Sequence, residues 1–318
     1  MQVSESVARD LLRLCVWYPL RWLVERLPPR TGFALLAGLG RLHAALATAR
    51  RGGRAARLAA AAGKVSPQLD AAGRRAQVVA AYETHYANQL SIFVFPRLTR
   101  GNWREVLAID GLDNLRAALE PGRGVVLPIG HFGPTQLPLT VLGLLGFPML
   151  QIGFQDDSGL SYIGRHVSFR LRQAYEARIP ATIVPPGPGT RRALAHLRAG
   201  GVVMTTADDT PWQARFGRHA DFDFPGGRLR APVGAAKLAL AAFAPLCPVF
   251  LGPGEDVPFR LTIEAPLEES ELMDKNEAAA AMTREFLDRY AARVAAMPGW
   301  WHGLEGHVFP LAPREEGD

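Results

Sequence analysis

Gly124-Val-Val-Leu-Pro-Ile-Gly-His131-Phe-Gly-Pro-Thr-Gln136 is the stretch on which the reading of this chain turns. Five apolar residues between glycines are too few for a helix and suit a buried strand. The run ends at a glycine, and His131 stands at the turn into an apolar helical pattern over 137–145. In open α/β sheets the reactive groups lie beyond the carboxyl ends of strands. The dipole of the following helix favours a neutral imidazole there, which suits a general base. A lone histidine at a turn is also often just a structural hydrogen-bonder.

Working outward, strand and helix patterns alternate. Strands are expected at 148–154, 181–184, 202–206, 246–251 and 259–263. Helices are expected at 71–98, 159–176, 190–199, 231–243 and 275–296. Alternation at this spacing predicts an α/β sheet with helices on both faces. The tail from Pro310 is polar and expected to be loose.

The chain of 318 residues carries 36 Lys+Arg against 30 Asp+Glu, with 48% hydrophobic residues and 2 Cys. That composition excludes a disordered chain, a disulfide-stapled module and a collagen-like fibre. Residues 1–80 hold thirteen bases and four acids, a balance of +9, so the rest of the chain carries −3. The basic N-terminal quarter points to an anionic partner, such as a phospholipid surface, an acidic carrier protein or nucleic acid. Trp17, Tyr18 and Trp22 among Leu11, Leu12, Leu20 and Leu23 fit an interfacial amphipathic helix as well as a core-packing one. No segment reads as a clean transmembrane helix, because Arg13, Arg21, Arg41 and Lys237 interrupt the apolar runs. No signal peptide is evident.

The His131 block, His-Phe-Gly-Pro-Thr-Gln, resembles the strand-following His-x-x-x-x-Asp/Glu motif of the bacterial lipid A late acyltransferases and the related phosphatidylinositol mannoside acyltransferases. Three further blocks are similar in order and spacing: Gly201-Val-Val-Met-Thr-Thr-Ala-Asp208-Asp209, the stretch from Phe222 to Ala239, and Pro298-Gly-Trp-Trp-His302. The resemblance covers roughly residues 8–308. It implies a glycerophosphate-acyltransferase-like mixed sheet flanked by helices, with a membrane-associating helical segment at 1–60 and the acyltransferase-like α/β domain at 61–318. It also implies transfer of an acyl chain from acyl-carrier protein or acyl-CoA to a hydroxyl or amine of a lipid or small-molecule acceptor. The place implied is the cytoplasmic face of the inner membrane, against an anionic surface. No cofactor, metal or nucleic acid is expected.

The chain departs from the motif at its acid. Gln136 can accept a hydrogen bond and fix a tautomer, but it supplies no negative charge. The expected catalytic pair is His131 with Gln136. Asp208 or Asp209 would restore the charge if either faces the pocket. A Gln136 turned away from His131 would favour an impaired homologue that only binds acyl chains or carrier protein. A specialised-metabolite acyltransferase is a further alternative. Gly133, Asp208, Asp209, Arg178, Arg228 and Arg230 are the substrate-binding candidates, with Arg165, Arg170 and Arg172 as anion-binding alternatives. His219, Asp221 and Asp223 share one strand face and would suit a metal only with a further ligand. Trp300, Trp301 and His302 read as packing.

Overall fold

The computed structural model describes residues 7–49, 53–153, 157, 159–208, 216–268, 274–306 and 308–309. The helices are α1 (Val7–Cys15), α2 (Arg21–Val24), α3 (Pro29–Thr48), α4 (Arg54–Val65), α5 (Ala71–Leu90), α6 (Leu112–Leu119), α7 (Gln136–Leu144), α8 (Arg170–Glu176), α9 (Gly189–Arg198), α10 (Gly234–Ala242) and α11 (Lys275–Ala296). The strands are β1 (Leu107–Asp110), β2 (Val125–Ile129), β3 (Met149–Ile152), β4 (Ala181–Val184), β5 (Val202–Thr206), β6 (His219–Phe224), β7 (Gly227–Pro232), β8 (Val249–Pro253), β9 (Phe259–Ile263) and β10 (Val308–Phe309). π-Helical turns at Val16–Leu20 and Gly164–Phe169 lead into α2 and α8.

Local chemistry fixes several boundaries. Proline occupies the first position of α3, where its missing N–H costs nothing. Asp70 caps α5 by accepting from Gly73 N at 2.6 Å, and Asp274 caps α11 by accepting from Asn276 N at 2.6 Å. The helix expected to run to residue 98 ends at Leu90 and continues as 3₁₀ turns to Arg97, with Pro96 in the last of them.

Seven strands form one sheet in the order β1-β9-β8-β2-β5-β3-β4. All neighbours are parallel except β8 and β9, which form an antiparallel hairpin, so the sheet is mixed. Every residue of β2 is buried, as a central strand covered on both faces requires. Pro128 is tolerated there because its position faces β8. On that side Val126 makes the backbone bonds, to Pro245 and Cys247, and only Ile129 pairs within the ladder.

Helices cover both faces. One core joins Phe33, Leu36, Phe93 and Leu115 to Leu127 and Leu137. A second unites α9, α10 and α11 with the other face of the sheet through Val126, Leu150 and Val203. A third lies between α4, α5, α11 and the antiparallel sheet β10-β7-β6, and contains Phe132, Tyr290 and Trp301. Among the described residues no helix is long and apolar enough to cross a membrane.

Candidate active site

The parallel register of β2 and β5 builds the centre of the site. Ile129 pairs with Thr206, and Ala207 N donates to Ile129 O at 2.9 Å. Two residues beyond each strand, His131 and Asp208 therefore face one another. Asp208 Oδ1 accepts from His131 N at 2.7 Å and lies 3.0 Å from His131 Nδ1. The Asp208 carbonyl oxygen lies 2.6 Å from the same nitrogen. A carbonyl only accepts, so Nδ1 carries the proton and the lone pair sits on Nε2, the tautomer a general base needs.

Asp208 is fully buried, and its other carboxylate oxygen is held with equal care. Tyr290 Oη and Trp301 Nε1 each donate to Oδ2 at 2.9 Å. Among the described residues four donors thus serve one buried carboxylate, which keeps its charge supportable away from water. Burial, followed by the nearby Asp208 charge, pushes the Tyr290 hydroxyl well above its ordinary pKa, so it remains a donor. Gly130 is required by this packing, because a Cβ there would lie 2.1 Å from the Tyr290 ring.

The segment after α11 braces the histidine loop from behind. His302 N donates to His131 O at 2.9 Å, Gly133 N donates to Trp300 O at 3.1 Å, and His302 Nε2 lies 2.8 Å from Gly133 O. Burial lowers the His302 pKa to about 4, so the ring is neutral and Nε2–H donates to that carbonyl. Gly133 has φ 69°, a left-handed turn that favours glycine.

His131 opens onto a cleft of about 410 Å³. Its walls are unusually rich in amides and charges: Asn88, Gln89, Gln136, Gln151, Gln173, Arg172 and Glu176, with Phe169, Thr135 and Thr206. A second cavity of about 440 Å³ shares Ile152, Gly153 and Thr206 with it, and is otherwise walled mainly by Leu194, Leu238, Ala235, Ala241, Pro186 and Pro232. Arg218 and Lys237 stand in the wall of this apolar cavity. Both donate to the neutral Asn276 Oδ1, at 3.5 and 3.0 Å.

The structure thus brings together His131, Asp208, Gly133 and Gln136 but changes their parts. Asp208, not Gln136, orients the imidazole, while Gln136 Nε2 donates to Glu176 Oε1 at 3.3 Å. Gly133 serves the backbone frame behind the histidine. Arg178, Arg228 and Arg230 stand away from the cleft. Arg178 is exposed over the Tyr175 ring, and Arg228 and Arg230 are the cross-strand partners of Asp223 and Asp221 in the small sheet. That pairing also accounts for the His219-Asp221-Asp223 face. Among the described residues no three His, Cys, Asp or Glu gather as a metal site would need. Asp209 lies outside the described residues. Of the arginines weighed as alternatives, Arg172 lines the cleft while Arg165 pairs with Asp157. Sequence reasoning missed Tyr290, Glu176 and the polar role of Trp301. Only the third had a signal, a tryptophan beside a histidine in a block of the resemblance.

The profile described as bacterial lipid A biosynthesis acyltransferase matches residues 11–305. A phosphatidylinositol mannoside acyltransferase from Mycolicibacterium smegmatis is 29% identical over 67% of this chain and 66% of its own length. Its counterpart from Mycobacterium tuberculosis is 28% identical over 62% of this chain and 58% of its own length. The matched stretch thus spans under two thirds of either relative. Among solved structures, the 1-acyl-sn-glycerophosphate acyltransferase PlsC of Thermotoga maritima covers 89% of this chain and 97% of its own, at 13% identity and a TM-score of 0.34. With the profile match running through nearly the whole described fold, from α1 to the segment that braces His131, the chain belongs to the bacterial lipid A biosynthesis acyltransferase family.

Proposed function

We propose that this protein is an acyltransferase that moves an acyl chain from a thioester to a hydroxyl, with His131 as general base and Asp208 as its acidic partner. The observation that carries this reading is the buried Asp208 carboxylate on Nδ1 of a histidine that faces a polar cleft beside an apolar cavity. The acceptor hydroxyl enters the polar cleft. Nε2 removes its proton as the oxygen attacks the thioester carbonyl, and Asp208 stabilises the imidazolium that forms. The tetrahedral intermediate collapses with loss of the thiolate, which takes the proton back from Nε2. No covalent enzyme intermediate is needed.

The apolar cavity suits the acyl chain, at about 0.8 kcal/mol for each buried methylene. Arg218 and Lys237 suit a phosphate of an acyl-CoA or of a carrier-protein arm. Although Gln136 is engaged with Glu176, Asp208 supplies the carboxylate whose loss would have favoured an impaired homologue. A lipid acceptor fits the exposed Leu11, Leu12, Tyr18, Trp22 and Leu23 of α1 to α2, which would seat this part of the 1–60 segment on an anionic inner-membrane surface.

The test is thiol release from palmitoyl-CoA and from palmitoyl-carrier protein, with and without a glycolipid acceptor, accompanied by mass spectrometry of the acylated product. Acceptor-dependent release that vanishes in His131→Ala supports the reading. Equal release from the variant overturns it.

A further inference from the structure

Addition of a hydroxyl to a thioester places a negative charge on the carbonyl oxygen, and that charge needs donors fixed in advance. The backbone of the histidine loop has its own donors committed. His131 N donates to Asp208 Oδ1 at 2.7 Å, Phe132 N to Gly130 O at 2.8 Å and Gly133 N to Trp300 O at 3.1 Å. Pro134 has no N–H. Thr135 N donates to Asn88 Oδ1 at 3.2 Å. The loop that carries the base therefore leaves this task to other groups.

Asn88 stands in the last turn of α5, half-buried, and borders the cleft together with His131 and Thr135. Thr135 settles which way its amide points. A backbone N–H only donates, so the atom facing Thr135 N is the amide carbonyl oxygen, and the Thr135 hydroxyl lies 3.4 Å from the same oxygen. The NH₂ is therefore the end turned away from the loop. It makes no hydrogen bond among the described residues. Nor is it sealed from solvent, since the buried side-chain nitrogens left without a partner there are those of Arg21, Trp103 and Arg228. An amide pinned through its oxygen to the loop of the base thus shows its N–H groups to the cleft onto which His131 opens. Gln136 and Gln89 are held instead through the side chains of Glu176 and Arg172.

We propose that Asn88 is a further catalytic residue, the oxyanion donor of the acyl transfer. This rests on the function proposed above and supplies the group that its mechanism lacks. As the acceptor oxygen bonds to the thioester carbon and its proton passes to His131 Nε2, the carbonyl π pair moves onto oxygen. That oxyanion accepts from Asn88 Nδ2–H. When the C–S bond breaks, the pair re-forms the carbonyl of the ester and the thiolate takes the proton from Nε2. The hydrogen bond is strongest while the charge lasts, so it lowers the barrier rather than only holding the substrate.

Two substitutions separate catalysis from support, because the two roles rank them oppositely. Asn88→Asp keeps the oxygen that Thr135 uses and replaces the donor by a charged acceptor, whereas Asn88→Ala removes both. Thiol release from palmitoyl-CoA is followed with water alone and with dodecyl maltoside as acceptor, since both reactions pass through the same oxyanion. Melting temperatures are recorded alongside. Asn88→Ala should lose about 10²–10³ in kcat, the usual loss for one oxyanion donor, and Asn88→Asp should lose more, with KM for palmitoyl-CoA within about threefold of wild type in both. Melting should rank them the other way, because only Ala leaves the Thr135 N–H without its acceptor. If Asn88→Ala does not fold, Asn88→Asp against wild type decides alone. A kcat for Asn88→Asp above that of Asn88→Ala, or within about threefold of wild type, overturns the inference. With His131→Ala inactive, that result removes Asn88 and leaves the general base in place. A wild type whose thiol release survives in His131→Ala overturns the catalytic reading itself, and this inference with it.

Discussion

Replacing Asp208 by Asn tests the centre of the mechanism with the smallest change of shape. The carboxylate accepts from His131 N, His131 Nδ1, Tyr290 Oη and Trp301 Nε1, at distances of 2.7 to 3.0 Å. An amide has one accepting oxygen, so it cannot serve both sides. With its oxygen toward His131, its NH₂ faces Tyr290 and Trp301. The tyrosine hydroxyl can turn and accept, but an indole N–H only donates and is left unpaired, at a cost of about 1–3 kcal/mol. With its oxygen toward Trp301, its NH₂ faces the backbone N–H of His131. The Asp208 backbone carbonyl, 2.6 Å from Nδ1, survives the exchange and still accepts the proton of that nitrogen, so the tautomer is kept while the amide NH₂ crowds the ring. The negative charge that stabilises the imidazolium is lost in either orientation. Loss of the corresponding acid in a related His–Asp arrangement costs roughly 10⁴ in kcat. We expect kcat for thiol release to fall by about three orders of magnitude and the melting temperature to drop by several degrees. An Asn variant that keeps kcat within about twofold of wild type would refute the pairing.

Other predictions follow from the surrounding contacts. His131→Ala should lower kcat by about two to four orders of magnitude with little effect on melting, since the residue lies at the cleft and keeps its backbone bonds. Gly130→Ala should destabilise severely or prevent folding, because its Cβ would overlap the Tyr290 ring, and denaturant titration reads this directly. Exchanging Leu11, Leu12 and Trp22 for Ser should reduce sedimentation with anionic vesicles, and an unchanged pellet fraction would remove this face from membrane contact. Burial lowers the pKa of both His85 and His302 to about 4 from an ordinary 6.5. Between those values the unfolded chain binds more protons, so stability should fall as pH drops from about 6.5 toward 4, by at most roughly 3 kcal/mol per histidine. His302→Phe should flatten part of that slope in melting curves taken against pH.

The sheet was legible because buried parallel strands announce themselves as short apolar runs. The runs at 125–129, 181–184, 202–206 and 259–263 coincide with β2, β4, β5 and β9. β1 escaped notice because Leu107–Asp110 is short and half exposed, and it pairs with a strand some 150 residues later. At the site, His131 could be read from a glycine-bounded turn. Its acidic partner could be named only as one of two, Asp208 or Asp209, and the choice could not be made. It depends on the register of β2 against β5, which sequence spacing does not express. Tyr290 was hidden inside a long amphipathic helix, where an aromatic facing a carboxylate looks the same as one facing leucine.

The tether between Asp208 and the pair Tyr290–Trp301 also has a consequence for synthesis. A ribosome delivers β5 and its aspartate some eighty residues before Tyr290 and more than ninety before Trp301. Until those two donors emerge, the nascent strand must either leave its carboxylate in water or bury it half satisfied, at a penalty of several kcal/mol. The central sheet therefore has reason to stay open at that edge during translation, and to close only when the C-terminal helix docks. Helix α11, made well after β5, is the element that permits the histidine loop to set.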